Sequence, residues 1–314
     1  MSLALERAGY GLLIFLLCSV AWLHFVGPIN LTTADLGRHL RNGELVVSGG
    51  HIPDTNHYSY TDPDFPTLCH HWAAGVLFYW IWKAWGFLGL SAFYGGVLFL
   101  TWALFTWAAA RAASLRSALA AAALALPLLA YRTEIRPEGL TTLFLAAEFF
   151  LLYSFRQGRL NGRWLWVIPA VHLVWVNVHI LFVIGLCLTG IFMLDALVRE
   201  GPGRGFRLLA AVLLASLALS CVNPYGLEGV LQPFNIFKVY GYRLAENQTV
   251  FFMIKRFPGR TIYGYFLLLW GLAGFLFVLR LIKERDWRGS FLPVALWAFF
   301  GLMACQAVRA IAMF

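Results

Sequence analysis

Charge is scarce in this chain. Of its 314 residues, 12% are charged and 61% are hydrophobic. A soluble domain keeps its surface hydrated with roughly a quarter of its residues charged. A water-facing globule is therefore excluded, and lipid is the natural solvent for most of the sequence. Cysteine is scarce as well. Cys18, Cys187, Cys221 and Cys305 lie in apolar stretches and Cys69 in a polar one. No CxxC or His/Cys ligand spacing occurs, so neither a disulfide framework nor a structural zinc site is expected. The formal net charge is +9. No basic run with interleaved aromatics accompanies it, and basic loops are ordinary in membrane proteins, so nucleic acid is not an expected partner. The first apolar run, 10–26, follows Arg7 and lacks a small-residue cleavage site. It reads as a retained helix, not a signal peptide.

What is abundant is long apolar runs. They predict an all-α polytopic membrane protein with about nine transmembrane helices, since each crossing takes about 20 apolar residues. The runs fall near 9–27, 88–110, 117–131, 139–155, 164–178, 180–198, 207–222, 262–282 and 290–309. Those at 117–131 and 164–178 are short, and Pro127 and Pro169 are expected to tilt or break them. The whole of 1–314 reads as a single transmembrane domain, with polar stretches at 28–87 and 223–261. Arg111 and Arg116, then Arg156, Arg159 and Arg163, then Arg199, Arg204 and Arg207, then Arg280, Lys283, Arg285 and Arg288 occupy the short loops. With the N-terminus cytoplasmic, all of these loops lie inside and both long stretches lie outside. The chain stops at Met313-Phe314, just after Arg309, which reads as a partial protein. No internal repeat is evident.

The first outer stretch is the most informative. A helix starting near Asp35 would place Asp35, Arg38, His39 and Asn42 on one face and Leu36, Leu40, Gly43 and Val47 on another. Such a helix is amphipathic and suited to lie along the membrane surface. Its polar stripe brings a carboxylate, a guanidinium and an imidazole within reach of one another. Two readings of Asp35 stand side by side: a reactive group, or a helix-start residue paired with Thr32 and favoured by the helix dipole. A turn-rich stretch follows and ends in His70-His71-Trp72. Adjacent histidines face one metal only in a loop, never on a helix. Trp72, Tyr79, Trp80, Trp82 and Trp85 form an aromatic cluster of the kind found at membrane interfaces. Asn30-Leu31-Thr32 and Asn247-Gln248-Thr249 match the glycosylation acceptor pattern, a triplet that also arises by chance.

The order Asp-Leu-Gly-Arg-His-Leu-Arg-Asn-Gly-Glu from Asp35, Gly-His-Ile-Pro-Asp-Thr-Asn from Gly50, Tyr-Ser-Tyr-Thr from Tyr58, His70-His71-Trp72 and the Gly86–Leu90 turn resembles a group of bacterial membrane proteins. They are GT-C-type glycosyltransferases, similar to dolichyl-phosphate-mannose-protein mannosyltransferases. Arg136-Pro137-Glu138, Trp175 to His179, and Asn223-Pro224-Tyr225-Gly226 fall where that group carries similar short motifs. The sequence departs from the group in two ways. Gly37 and Arg38 stand where an aromatic pair is common, and a single Asp35 stands where many GT-C enzymes have two adjacent acidic residues.

The resemblance implies transfer of a sugar from a polyprenyl-phosphate donor to an acceptor hydroxyl at the outer face of a bacterial inner membrane. The acceptor would belong to a glycan, a lipid or a protein. Asp35 is implied as the base or as a ligand of a divalent metal ion, with His39 beside it. A single carboxylate suffices, because phosphate leaves without a protonated acid, whereas hydrolases need a pair. Candidate substrate-binding groups are Arg38, His70, His71, Arg136, Glu138, His179 and Arg309. Arginine suits bidentate phosphate binding. Arg309 sits in an apolar stretch, where a charge is either functional or snorkels to the interface. Arg132, Glu134, Arg136 and Glu138 alternate in sign and would pair among themselves. Glu148, the one clear mid-span charge, reads as interior glue, and His172 as a core histidine. A transporter or channel, or a non-catalytic scaffold, are the competing readings.

Overall fold

A computed structural model describes residues 3–29, 35–235 and 244–314. Thr32 and the triplet Asn30-Leu31-Thr32 lie outside the described residues. Among the described residues twelve α-helices run in chain order: α1 (Leu3–Phe25), α2 (Leu36–Gly49), α3 (Trp72–Ala112), α4 (Leu115–Leu129), α5 (Pro137–Arg156), α6 (Val167–Val178), α7 (Val183–Glu200), α8 (Arg204–Ser220), α9 (Gly226–Asn235), α10 (Val250–Arg256), α11 (Ile262–Glu284) and α12 (Trp287–Gln306). A short 3₁₀ segment, Val308–Met313, follows α12. Six segments among the described residues are long and apolar enough to cross a membrane: α1, α3, α5, Ile180–Glu200, α11 and α12. The protein is thus an all-α, multi-pass membrane protein.

Each run expected to span coincides with one of these helices, but three are short. Helices α4, α6 and α8 have 15, 12 and 17 residues. At about 1.5 Å per residue these fall short of a hydrocarbon core of about 30 Å. The expected breaks at Pro127 and Pro169 do not occur. Pro169 lies in the first turn of α6, where a missing N–H is tolerated, and Pro127 lies two residues before the end of α4.

Local chemistry sets several helix starts. Ser114, Thr249 and Asp286 accept backbone N–H bonds from Ser117, Phe252 and Gly289 at the starts of α4, α10 and α12. Pro137 opens α5, where its fixed φ suits the first turn. Within α3, Gly86 sits at φ 63°, a conformation glycine adopts without penalty. It divides the Trp-rich segment from the apolar segment that packs in the bundle. On the first segment Trp80, Trp82 and Trp85 are exposed, and Lys83 lies 5.4 Å from the Trp80 ring centre.

Lipid tails are as apolar as leucine, so packing in such a bundle rests on close van der Waals contact and interhelical hydrogen bonds. Buried residues of α1 to α5 gather around α3. Those of α5 to α8 gather with α12. A third group joins α10, α11, α12 and the 3₁₀ segment. Helices α11 and α12 are joined by a reciprocal pair of bonds: the Trp297 indole donates to the Trp270 carbonyl at 2.8 Å, and the Trp270 indole donates to the Trp297 carbonyl at 3.2 Å.

Helix α2 lies against the start of α3 through two glycines. A methyl group at Gly43 would meet the Gly75 carbonyl oxygen at 2.1 Å, and one at Gly75 would meet the His39 carbonyl at 2.8 Å. Gly43→Ala is therefore expected to force α2 off α3 and cost about 1–3 kcal/mol. Gly37 faces open space, so Gly37→Ala is expected to be neutral or slightly stabilising. Thermal unfolding of the two purified variants checks this. Equal melting of both would mean that α2 is not seated as described.

The helix ends form two separate sets. At one end Arg159 donates to the Arg111 carbonyl at 2.6 Å, and Arg156 pairs with Asp195 at 2.7 Å. This end collects the short arginine-bearing loops. At the other end the residues around 69, 72, 132–138, 177, 222–225, 246–248 and 308–309 are tied to one another.

Candidate functional site

The loop-rich end holds every residue singled out at 35–71, 136–138, 179 and 309. The face of α2 carrying them is divided. Asp35 and Arg38 form an exposed ion pair at 3.2 Å, with side chains 52% and 45% accessible. Asp35 stands at the N-terminus of α2, yet its carboxylate caps no backbone N–H. It is held by Arg38 instead. His39 and Asn42, expected on the same polar stripe, are buried together with Leu36 and Gly43, while Val47 is exposed. The reason is the Gly43–Gly75 contact, which turns this side of α2 onto α3. The Asn42 amide points at the Cys69 sulfur, 3.6 Å away, and its carbonyl accepts from the Tyr58 hydroxyl at 2.5 Å.

Three imidazoles gather beneath this ledge. The His39 and His71 rings are 4.8 Å apart and the His70 and His71 rings 4.6 Å apart, each pair edge to face. His39 Nδ1, His70 Nδ1 and His71 Nε2 are buried without a hydrogen-bond partner. Burial disfavours their charged forms. It holds His39 down at about 3, assisted by the nearby Arg38, and His70 at about 4. His71 is held well below the usual range by burial and by the neighbouring rings of His70 and His39. All three are neutral at pH 7. Among the described residues, no three His, Cys, Asp or Glu side chains are placed to hold a metal ion.

Deeper in the end, two carboxylates bind three arginines. Glu138 pairs with Arg309 and, at 2.9 Å, with Arg132. Glu246 pairs with Arg136 at 2.9 Å, Arg132 at 3.3 Å and Arg309 at 3.4 Å. Arg309 also donates to the Asn247 side chain at 3.1 Å. Arg309 is neither bare in lipid nor snorkelling; it is clamped between two segments. Burial works against the Arg132 charge, but Glu138, Glu246 and Glu134 outweigh it and hold its proton more tightly than usual. The expected pairing within 132–138 is only partly realised, because Arg136 bonds across to Glu246. Glu246 belongs to no motif in the sequence; its place beside Asn247 in a polar stretch is the one signal that marks it.

His179 sits at the break between α6 and the turn leading to α7 and is buried. The Thr141 hydroxyl accepts from the Trp175 indole at 3.0 Å and lies 2.8 Å from His179 Nδ1. Inside the bundle, Glu148 accepts from Thr189 at 2.5 Å and faces His172 Nε2 at 3.3 Å. This joins α5, α6 and α7, as interior glue would. Outside it, Arg256 and Arg260 flank the Phe257 ring at 5.2 and 5.7 Å. No protein-family profile, curated protein or solved structure matches the chain.

Proposed function

We propose that this chain is a GT-C-type membrane glycosyltransferase that transfers a sugar from a polyprenyl-phosphate donor to an acceptor hydroxyl. The arginine-rich end is cytoplasmic by the positive-inside rule, and nine crossings would place the loop-rich end outside. The observation that carries the reading is Asp35. It is an exposed carboxylate on a surface helix, bound to Arg38 rather than used as a cap. Buried neutral imidazoles lie beneath it.

In the reaction Asp35 takes the proton of the acceptor hydroxyl. The acceptor oxygen forms a bond to the anomeric carbon as the bond from that carbon to phosphate breaks, and the electron pair leaves with the phosphate. Arg38 is placed to move from Asp35 to the departing phosphate as charge develops there. Arg132, Arg136 and Arg309 are largely neutralised by Glu138 and Glu246. Their part is to fix the floor of the site and give it a modest positive field. His39 and His71 supply neutral hydrogen-bonding nitrogens, not charge.

Replacing Asp35 with Asn in cells, with glycan profiling and a check of membrane abundance, tests the base. Loss of the glycan at normal abundance is expected. Unchanged glycans, against a clear loss on deleting the gene, would remove Asp35 from the chemistry. A transporter reading has one observation in its favour, the buried Glu148–His172 pair. It is a single pair tied to Thr189, and the sequence shows no paired repeats of the kind that transporters use.

A further inference from the structure

At the loop-rich end, α10 and the turn that follows it carry three cations that the site around Asp35 does not use. Lys255, Arg256 and Arg260 are exposed. Among the described residues no carboxylate pairs with any of them; Glu134, Glu138 and Glu246 are taken up by Arg132, Arg136 and Arg309. The opposite end of α11 differs, because there Arg280 pairs with Glu284. The local sequence brings two of the three cations together. Thr249 caps α10 by accepting from the Phe252 N–H at 3.1 Å, and Val250 and Met253 bury into the third core group. This seats one side of the helix and leaves Phe251 and Phe252 exposed on the other. Pro258 cannot continue the helix, and Phe257 to Arg260 form a turn closed by the Arg260 N–H on the Phe257 carbonyl at 3.0 Å. The turn sets the guanidinium carbons of Arg256 and Arg260 at 5.2 and 5.7 Å from the centre of one ring, that of Phe257.

The place of this turn in the bundle selects its ligand. It leads directly into α11, which is long and apolar enough to cross a membrane and is little covered by the rest of the bundle. The two guanidiniums therefore lie where a lipid-facing span meets the headgroup layer. Phe251, Phe252 and Phe257 are exposed beside them and suit the apolar layer below. Paired guanidiniums without a carboxylate suit an oxyanion, and the guanidinium fork fits phosphate. A phosphate that carries acyl chains satisfies both the cations and the apolar side chains, whereas a free phosphate satisfies only the cations. We propose that the turn between α10 and α11 binds an anionic phospholipid, its phosphate held between Arg256 and Arg260 and its acyl chains lying along α11. Lys255 adds to the positive field. The bound lipid also braces the candidate site. The Gln248 carbonyl, just ahead of α10, accepts from the Val308 N–H at 3.0 Å, and the Asn247 side chain accepts from Arg309 at 3.1 Å. A lipid that holds α10 in place thus steadies the segment that presents Glu246 to the arginines. This role is independent of the reaction assigned to Asp35.

The test is native mass spectrometry of the full chain in neutral detergent and ammonium acetate. Dioleoylphosphatidylglycerol is the anionic probe and dioleoylphosphatidylcholine the zwitterionic one. Phosphatidylglycerol is expected to bind more tightly. Arg256→Gln and Arg260→Gln are each expected to weaken the tightest-bound phosphatidylglycerol about fivefold and to leave phosphatidylcholine unchanged. Lys283→Gln, which removes one charge at the opposite end of α11, is expected to leave that lipid in place. Added phosphatidylglycerol is expected to raise the unfolding temperature of the wild type, but not that of the double variant Arg256→Gln with Arg260→Gln. Equal binding of the two lipids, undiminished phosphatidylglycerol binding by the folded double variant, or the same loss in Lys283→Gln would overturn the site. If the arginine variants do not fold, the unmodified chain decides. Its phosphatidylglycerol affinity is expected to fall as salt rises from about 0.1 M to about 1 M and the screening length shrinks from about 10 Å to about 3 Å. Salt-independent binding would overturn the site. Two other occupants are read in the same way. Displacement of phosphatidylglycerol by inorganic phosphate would make the turn a free-anion site, and tighter binding of a polyprenyl phosphate would assign its cations to that carrier. Either result overturns the phospholipid.

Discussion

Glu138→Ala is expected to destabilise the protein by about 3–5 kcal/mol, the usual consequence of leaving buried charges without their partner. Two guanidiniums, those of Arg132 and Arg309, depend on this one carboxylate, which is itself 8% exposed. Glu246 takes up part of the load, since it already reaches Arg132 and Arg309 at 3.3 and 3.4 Å. The contrast that identifies the mechanism is the double replacement Glu138→Leu with Arg309→Met. Apolar groups of similar volume can replace a buried ion pair at little cost. The double variant is therefore expected to recover much of the stability lost in Glu138→Leu alone. Unfolding in mixed micelles gives the coupling directly through a double-mutant cycle. Additive losses would show that Glu138 and Arg309 do not act as a pair. The exposed Arg280–Glu284 pair at 2.8 Å is the control, expected to be worth less than about 1 kcal/mol.

Acid is expected to loosen α2 before it unfolds the bundle. The ring of His39 is held at about 3 and that of His70 at about 4, both below the unfolded value of 6.5. The unfolded segment therefore binds more protons than the folded one between those limits, and stability falls as pH falls through that window. Above about pH 6.5 both states are neutral at these rings and the effect vanishes. At about pH 5 each ring is expected to cost about 2 kcal/mol. The charges facing His39 are Arg38 and Arg136, which oppose its protonation, and Asp35, which favours it. His179, Glu138 and Arg309 lie behind the group: His179 acts on His71, and all three act on one another. Hydrogen-exchange protection factors across α2, corrected for the intrinsic rate at each pH from 7.5 to 5, are expected to fall while those in α7 do not. His39→Gln is expected to flatten much of that profile. A profile already flat in the wild type would mean that the rings are hydrated and not buried.

The bundle was legible because apolar length survives in one dimension. Every expected apolar run lies in a helix, six segments among the described residues are long enough to cross a membrane, and the aromatic cluster around Trp80 and Trp85 lies exposed on the first part of α3. The kink at Gly86 was not legible, since a glycine in an apolar run carries no sign of its φ. Spacing also placed Asp35, Arg38, His39 and Asn42 together, but it could not say which of them would be covered. That was decided by Gly75, 32 positions after Gly43, whose missing side chain lets α2 settle on α3. Pairing across the chain was likewise hidden. Nothing near Arg136 points to Glu246, and nothing near Cys69 points to Tyr225. Charge alternation at 132–138 suggested a local ladder, while the fold offered the arginines a second carboxylate from another segment. Pro127 and Pro169 suggested breaks that did not occur, because each falls within a turn of a helix end.

Asp35 is proposed to remove the proton from an acceptor hydroxyl while a lipid-borne phosphate departs. Purified chain in proteoliposomes, given polyprenyl-phosphate carrying a labelled hexose and a lipid-free polyol or glycan acceptor, measures that step directly. Label is predicted to move to the acceptor, to stop in Asp35→Asn, and to continue in Arg41→Gln, whose exposed Glu44 pair lies one turn along α2. Equal transfer by wild type and Asp35→Asn, with both proteins folded, would contradict the role of Asp35 as the base.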